Sequence, residues 1–201
     1  MCAFDSMYVV CVQHCLGLFA IIKFRLRKST ESYSDQTLSK VEKEAVTYKY
    51  ITKTIELHKN VLIFTAILEA TYSSTFLILV GLNMLIISLA CVLILIKIDD
   101  NDIMSVLRFS FVLIGSVLHL FFLSWPGQAL TDYSLSLSDD AYANEWYEAS
   151  IESQRSLKFL ILRCIKPCQL TAGGIYVMNF SNFAMIIKTS VSYITMFISL
   201  T

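Results

Sequence analysis

Residues 61–96 read VLIFTAILEATYSSTFLILVGLNMLIISLACVLILI, an apolar run with a single charge, Glu69. A helix rises about 1.5 Å per residue, and a bilayer core of about 30 Å takes about 20 apolar residues. The run is therefore a membrane helix that projects past one face of the bilayer. Three further runs flank it. Residues 6–22 (SMYVVCVQHCLGLFAII) are uncharged but short, and include Gln13 and His14. Residues 109–130 (FSFVLIGSVLHLFFLSWPGQAL) are uncharged throughout, with Trp125 near one end, where an amphipathic ring suits the headgroup level. Residues 168–200 are interrupted only by Lys188 and are rich in Ser, Thr, Gly and Asn. Helix packing or a wet cavity would explain that polarity. The fold class expected is an all-α membrane protein with about four transmembrane helices in a single membrane domain, 1–201.

Composition agrees. Hydrophobic residues make up 56% of the 201 and charged residues 16%, with a mean hydropathy of +0.63, more apolar than a soluble fold needs. Sixteen basic and sixteen acidic residues give a net charge of zero, so there is no global field to attract nucleic acid or acidic substrates. The distribution of charge is informative. Nine of the sixteen Lys and Arg fall in 23–59 and four in 131–166, whereas the connection 97–108 has only Lys97 and Arg108 around three aspartates. The positive-inside rule puts 23–59 and 131–166 in the cytoplasm and both termini outside. An external N-terminus lacks a signal peptide here, because the basic cluster follows the first apolar run and resembles a stop-transfer flank. The expectation is that an upstream part of the protein, with an odd number of spans, precedes Met1.

The connections carry helical patterns. From Asp35 to Lys59 there is no Gly or Pro, and Leu38, Val41, Ala45, Tyr48 and Ile51 recur at three and four residues among charges, which predicts an amphipathic helix running into the second span. Residues 141–165 place Tyr142, Trp146, Ile151, Leu157, Leu160 and Ile161 likewise, before Pro167. The expected elements are a first span with a basic end (1–28), an anchor helix plus second span (35–97), a third span (103–136), a second anchor helix (141–166) and a final span (170–200). Gly173 and Gly174 permit a bend or unwound turn before the last span proper.

Chemistry-bearing patterns are sparse. The six cysteines include two C-x-x-x-C pairs, 11/15 and 164/168, in different regions and with no histidine beside either at metal spacing except His14, and read as small buried residues. His14 and His119 lie inside apolar runs as hydrogen-bonded packing residues. There is no P-loop, G-x-S-x-G or H-E-x-x-H. No catalytic residue, metal or cofactor is assigned, and an enzyme is not expected. Glu69 reads as solvated surface on the helix extension; Lys188 has three readings, snorkelling, facing a cavity or pairing with an acid. The sequon at Asn179 falls inside a predicted membrane segment.

The C-terminal third carries a recognisable wording: Tyr142, Trp146, Lys166-Pro167, Leu170-Thr171-Ala172-Gly173, Phe183, Lys188-Thr189-Ser190 and Ser192-Tyr193. It resembles the C-terminal signature of insect odorant receptors. Upstream, Asp5 with Arg25-Leu26-Arg27 resembles their fourth helix, His58 with Leu68-Glu69 the fifth, and Gly127 the inner end of the sixth. Gly174 departs from the pattern, standing where many members have Lys. The resemblance implies helices four to seven of a seven-helix receptor, with the first three missing, consistent with the orientation the charges give.

It further implies an odorant-gated nonselective cation channel in the plasma membrane, assembled as a heterotetramer with the olfactory co-receptor and detecting small volatile molecules. The last helix would line the pore. Thr189, Tyr193, Met196 and Leu200 share one face at i, i+4, i+7 and i+11, and Met196 and Leu200 resemble the hydrophobic gate. Met7, Tyr8, Phe109, Ser110 and Leu113 are the candidate odorant-pocket residues. The cytoplasmic helices, through Tyr142, Trp146, Leu157 and Leu160, would form the anchor between subunits. Two other readings are weighed: a gustatory-type chemoreceptor channel, disfavoured by the wording of the last helix, and a small transporter, for which no inverted repeat or midplane helix break is visible.

Overall fold

A computed structural model describes residues 2–34, 39–143, 147 and 149–200, with the side chains of 2, 3, 30–34, 193, 194 and 197–200 outside that description. The described elements are α1 (Cys2–Ser34), α2 (Lys40–Asp99), α3 (Ile103–Ala143), α4 (Ile151–Cys164), β1 (Thr171–Ala172), β2 (Tyr176–Val177) and α5 (Phe180–Leu200). Among the described residues, α1, α2 and α3 are long and apolar enough to cross a membrane. Helix α5 has 21 residues and one charge, Lys188, and so reaches about 30 Å. Helix α2, at 60 residues, reaches about 90 Å, three times the hydrocarbon thickness.

Local chemistry sets the helix ends. Ser39 and Glu42 form a capping box: the Ser39 amide donates to Glu42 Oε2 at 3.0 Å, and the Glu42 amide donates back to Ser39 Oγ at 3.4 Å. Between α2 and α3, Asn101 takes a left-handed φ of 53°, which asparagine tolerates. Asp102 then accepts from the Ser105 hydroxyl at 2.6 Å and the Ser105 amide at 3.3 Å, bonds that hold its carboxyl below the usual range. Ser150 caps α4, accepting from the Ser153 amide.

The chain divides into two compact units, one of Met1–Leu68 and Ala129–Gln169, the other of Glu69–Gln128 and Leu170–Thr201. The first is a set of helices meeting along buried seams that alternate steps of four and three. On α1 the seam is Tyr8, Val12, Cys15, Phe19, Ile22, Leu26 and Ser29; on the first half of α2 it is Thr47, Ile51, Thr54, His58, Val61, Thr65 and Leu68. The two run antiparallel: Thr47 Oγ1 donates to the Ser29 carbonyl, Phe19 meets His58 edge-on at 6.3 Å, and Cys15 Sγ lies 3.9 Å from Thr65 Oγ1. Leu130, Ser134, Leu137 and Ala141 of α3 and Ser153, Leu157, Leu160 and Cys164 of α4 keep the same rhythm. A 3.5-residue repeat is what side chains need to interlock between nearly parallel helices.

These seams correct the expected anchor pattern. Of the positions read as the apolar face of 35–59, Val41, Ala45 and Tyr48 are exposed and Ile51 is buried, while Leu38 lies outside the described residues. Threonines take the buried places because their hydroxyls are satisfied within the helix: Thr54 donates to the Tyr50 carbonyl and Thr65 to that of Val61, both at 2.8 Å. The helix that carries the third span runs on past 136. Helix α3 continues to Ala143 through Pro126, so 141–166 is not one helix, and its second part starts afresh at the Ser150 cap.

In the second unit, Tyr72, Phe76, Val80, Asn83 and Ile87 of α2 are buried, as are Ser116, Leu120, Leu123 and Ser124 of α3. Asn83 Nδ2 donates to the Leu79 carbonyl and lies 3.0 Å from His119 Nδ1, a polar contact between two helices in an apolar setting. The final helix begins at Phe180 and not at 170, because the residues before it form the β1–β2 hairpin.

Candidate functional site

The hairpin is minimal: Thr171 pairs with Val177 and Ala172 with Tyr176, antiparallel. Gly173 and Gly174 turn it, at φ of +63° and +71°, a region in which L side chains are strained. The Met178 amide closes it onto the Leu170 carbonyl at 2.9 Å. Asn179 Oδ1 then accepts from the Asn182 amide at 2.8 Å and caps α5. The sequon asparagine is thus a helix cap.

The hairpin is seated from two sides within its unit. From α2, Glu69 Oε1 accepts from Thr171 Oγ1 at 2.6 Å, and the Gly173 amide donates to both the carbonyl (3.0 Å) and the hydroxyl (2.9 Å) of Ser73. A Cβ on Gly173 would stand 2.8 Å from Leu77 Cδ2. From α3, Gly127 lies so close to Met178 that a Cβ there would overlap its carbonyl oxygen. Gln128 Oε1 accepts from the Phe180 amide at 3.1 Å, and Phe121 stacks on Phe180 at 5.5 Å and meets Phe183 edge-on at 5.8 Å. Glu69, expected as solvated surface, is half-buried and holds the hairpin. Sequence reasoning missed the seat, although Gly127 and the paired glycines were its visible signs.

Beyond the seat, α5 buries Ile186 and leaves Met185, Thr189, Ser192 and Met196 exposed at i, i+4, i+7 and i+11. Thr189 donates its hydroxyl to the Met185 carbonyl at 2.8 Å, so the helix itself satisfies it. Tyr193 and Leu200 belong to α5, but their side chains lie outside the described residues. Lys188 is exposed. Of the candidate pocket residues, Met7 is 63% exposed and Tyr8 fully buried in the first unit. Phe109, Ser110 and Leu113 are half-buried on α3 in the second, with the Ser110 hydroxyl donating to the Val106 carbonyl at 2.8 Å. Leu157 and Leu160 are buried inside the first unit, Tyr142 is exposed and Trp146 lies outside the described residues. The exposed apolar side chains of α4 are instead Ile151, Phe159 and Leu162.

Buried groups of the first unit include Cys164, whose Sγ lies 3.7 Å from His58 Nε2; burial pushes its thiol up to about 11. Among the described residues, no group of three or more His, Cys, Asp or Glu is arranged to hold a metal ion.

The model of the seven-transmembrane odorant receptor family matches residues 1–191. Odorant receptor 10 of Aedes albopictus is 24% identical over 182 residues, covering 89% of this chain and 47% of the relative. Odorant receptor Or2 of Anopheles gambiae is 21% identical over 194 residues, 96% of this chain and 50% of the relative. Among solved structures, the insect olfactory receptor OR5 from Machilis hrabei, in complex with eugenol, superposes with a TM-score of 0.75 at 14% identity, covering 98% of this chain and 48% of that one. The same receptor in a second structure gives 0.74 at 17% identity, covering 99% of this chain and 47% of that one. The chain spans about half the length of the curated relatives it matches over most of its own length. A family match across nearly all of its residues, joined to long apolar helices and this largely helical fold, makes the chain a multi-pass membrane protein that belongs to the seven-transmembrane odorant receptor family.

Proposed function

We propose that this chain is the C-terminal, channel-forming half of an odorant receptor subunit, a ligand-gated nonselective cation channel that responds to volatile hydrophobic molecules. The observation that carries the reading is helix α5, held at its base by the Glu69, Ser73, Gly127 and Gln128 contacts and presenting an uncovered stripe of Met185, Thr189, Ser192 and Met196. Two hydroxyls flanked by two thioethers suit a wall that conducts when wide and dewets when narrow. Thr189, Tyr193, Met196 and Leu200 line this pore, with Met196 and Leu200 as the gate.

The odorant wall contributed by this half is Met7, Tyr8, Phe109, Ser110 and Leu113, which would bind an apolar ligand through buried area. The partner is the olfactory co-receptor, in a heterotetramer. Because Leu157 and Leu160 are buried within the first unit, the anchor surface offered to a neighbouring subunit is Tyr142 with Phe159 and Leu162. The protein sits in the plasma membrane with 23–59 and 131–166 in the cytoplasm and the C-terminus outside, supported by thirteen of sixteen Lys and Arg lying in those two stretches.

The test is a receptor carrying this segment, coexpressed with the co-receptor, with Ser192→Cys or Met196→Cys on α5. Odorant-evoked cation current that a small thiol reagent blocks at these positions, and not at Val191→Cys, supports the reading. No current to any odorant panel, or reagent-insensitive current in both variants, removes it.

A further inference from the structure

The first unit holds a cavity of about 570 Å³ lined by Ala20, Lys23, Phe24 and Arg27 of α1 and by Asp140 and Ala143 of α3. We propose that it binds the inositol-phosphate headgroup of an anionic phospholipid in the cytoplasmic leaflet.

Depth comes first. Lys23 is the first charge after the uncharged run 6–22, so the cavity opens where α1 leaves the hydrocarbon. Ala20 and Phe24 give the lining an apolar part, suited to the glycerol and acyl end of a lipid, interleaved along α1 with Lys23 and Arg27. Within it, Lys23 is held in place: its Nζ pairs with Asp140 Oδ2 at 2.8 Å, donates to Ser136 Oγ at 2.7 Å and stands 5.4 Å over the Tyr133 ring. Arg27 follows four residues later on the same face, exposed and with no ion-pair partner among the described residues. Its planar fork matches phosphate oxygens in pairs, which a lysine cannot do.

The chemistry of the lining selects further. Lys23, Arg27 and Asp140 sum to one positive charge, with Arg25 and Lys28 adjacent on the chain. Four basic residues within six positions at a membrane edge attract anionic lipid. Asp140 would repel a bare phosphate but accepts hydrogen bonds from hydroxyls. A polyol phosphate satisfies both, with phosphate on Arg27 and Lys23 and ring hydroxyls on Asp140.

The cytoplasmic assignment rests on the orientation proposed above; the binding itself does not, because nanodisc leaflets can be made identical. The experiment places the full chain in phosphatidylcholine nanodiscs carrying equal small fractions of phosphatidylinositol bisphosphate and phosphatidylserine, and reads the lipids retained on release by native mass spectrometry. The inositol lipid should be retained several-fold over the serine lipid. Arg27→Gln should cut that retention about tenfold, and Lys53→Gln, an exposed control, should leave it unchanged. Asp140→Asn, which keeps the side-chain size, should narrow the preference for the inositol lipid. Equal retention of the two lipids, or an unaffected Arg27→Gln, overturns the site. Soluble inositol trisphosphate binding as tightly as the lipid would make it a free-phosphate site and overturn the lipid assignment. Labelling of cysteines placed in 23–59 from either side of intact cells reads the orientation separately.

Discussion

Replacing Gly127 by alanine tests the seat of α5 at its tightest point. A Cβ at this position overlaps the Met178 carbonyl oxygen and stands 2.8 Å from Met178 Cβ and 3.1 Å from its carbonyl carbon. Ordinary carbon contacts are about 3.5–4.0 Å, so the end of the hairpin must withdraw by about 1 Å. No rotamer change can provide that, because the obstacle is backbone. Met178 is moreover tied to the Leu170 carbonyl, and Phe180 two residues on to Gln128. Overpacking costs about 1–3 kcal/mol, and alanine returns about 0.5–1 kcal/mol as a better helix former. A net loss of about 1–2 kcal/mol is expected. The internal control is Gly81→Ala, also in a helix but with nothing within 4 Å, which should gain about 0.5–1 kcal/mol. Thermal unfolding of the two variants in the same nanodiscs gives the difference. Hydrogen exchange at the Gly173 and Met178 amides localises it, since 1–2 kcal/mol is about a 5- to 30-fold faster opening. If Gly127→Ala melts with Gly81→Ala and leaves hairpin exchange unchanged, the hairpin does not press on α3 and the seat is misread.

Thr171→Val removes the donor to Glu69 while keeping shape and strand preference; a bond to a carboxylate is worth about 1.5–3 kcal/mol, less where water reaches it, so hairpin amides should exchange about tenfold faster with α1 protection unaltered. Leu157→Ala should destabilise the protein by about 2–5 kcal/mol, whereas Phe159→Ser should leave melting unchanged and weaken subunit association measured by crosslinking; the reverse pattern would return the interface to Leu157. The Cys164 thiol, at about 11 in the fold against 9.0 when free, should react with maleimide at pH 8 about 100-fold more slowly than in denaturant. Because the fold disfavours the thiolate, that site's contribution to stability is intact below pH 9 and is lost as pH climbs towards 11, which a Cys164→Ala variant should not show. Ser39→Ala breaks the capping box at an exposed helix start and should cost about 1 kcal/mol, seen as faster exchange in the first turn of α2 and nowhere else.

Much of the architecture is legible along the chain, for a physical reason. Crossing a bilayer requires long runs with almost no charge, and that demand is local, so 61–96 and 109–130 declare themselves from composition alone. The capping pattern Ser39-x-x-Glu42 and the turn around Asn101 are local too. The wording of the last third pointed to the family that the match over residues 1–191 shows.

What hydropathy could not decide is which polar groups are paid off by partners. Thr47, Thr54, Thr65 and His58 sit on a buried seam where apolar residues were expected, because helix carbonyls and neighbouring helices satisfy them. Glu69 and Thr171 are a hundred residues apart in sequence and meet only when the hairpin folds onto α2. Likewise, helix propensity treats Gly127 and Gly81 alike; the approach of Met178 makes one far costlier to replace than the other. The membrane helices of this protein are therefore set by transfer free energy, summed residue by residue along the chain. The seat of its last helix is set by hydrogen bonds and close contacts between distant segments, which exist only in the folded protein.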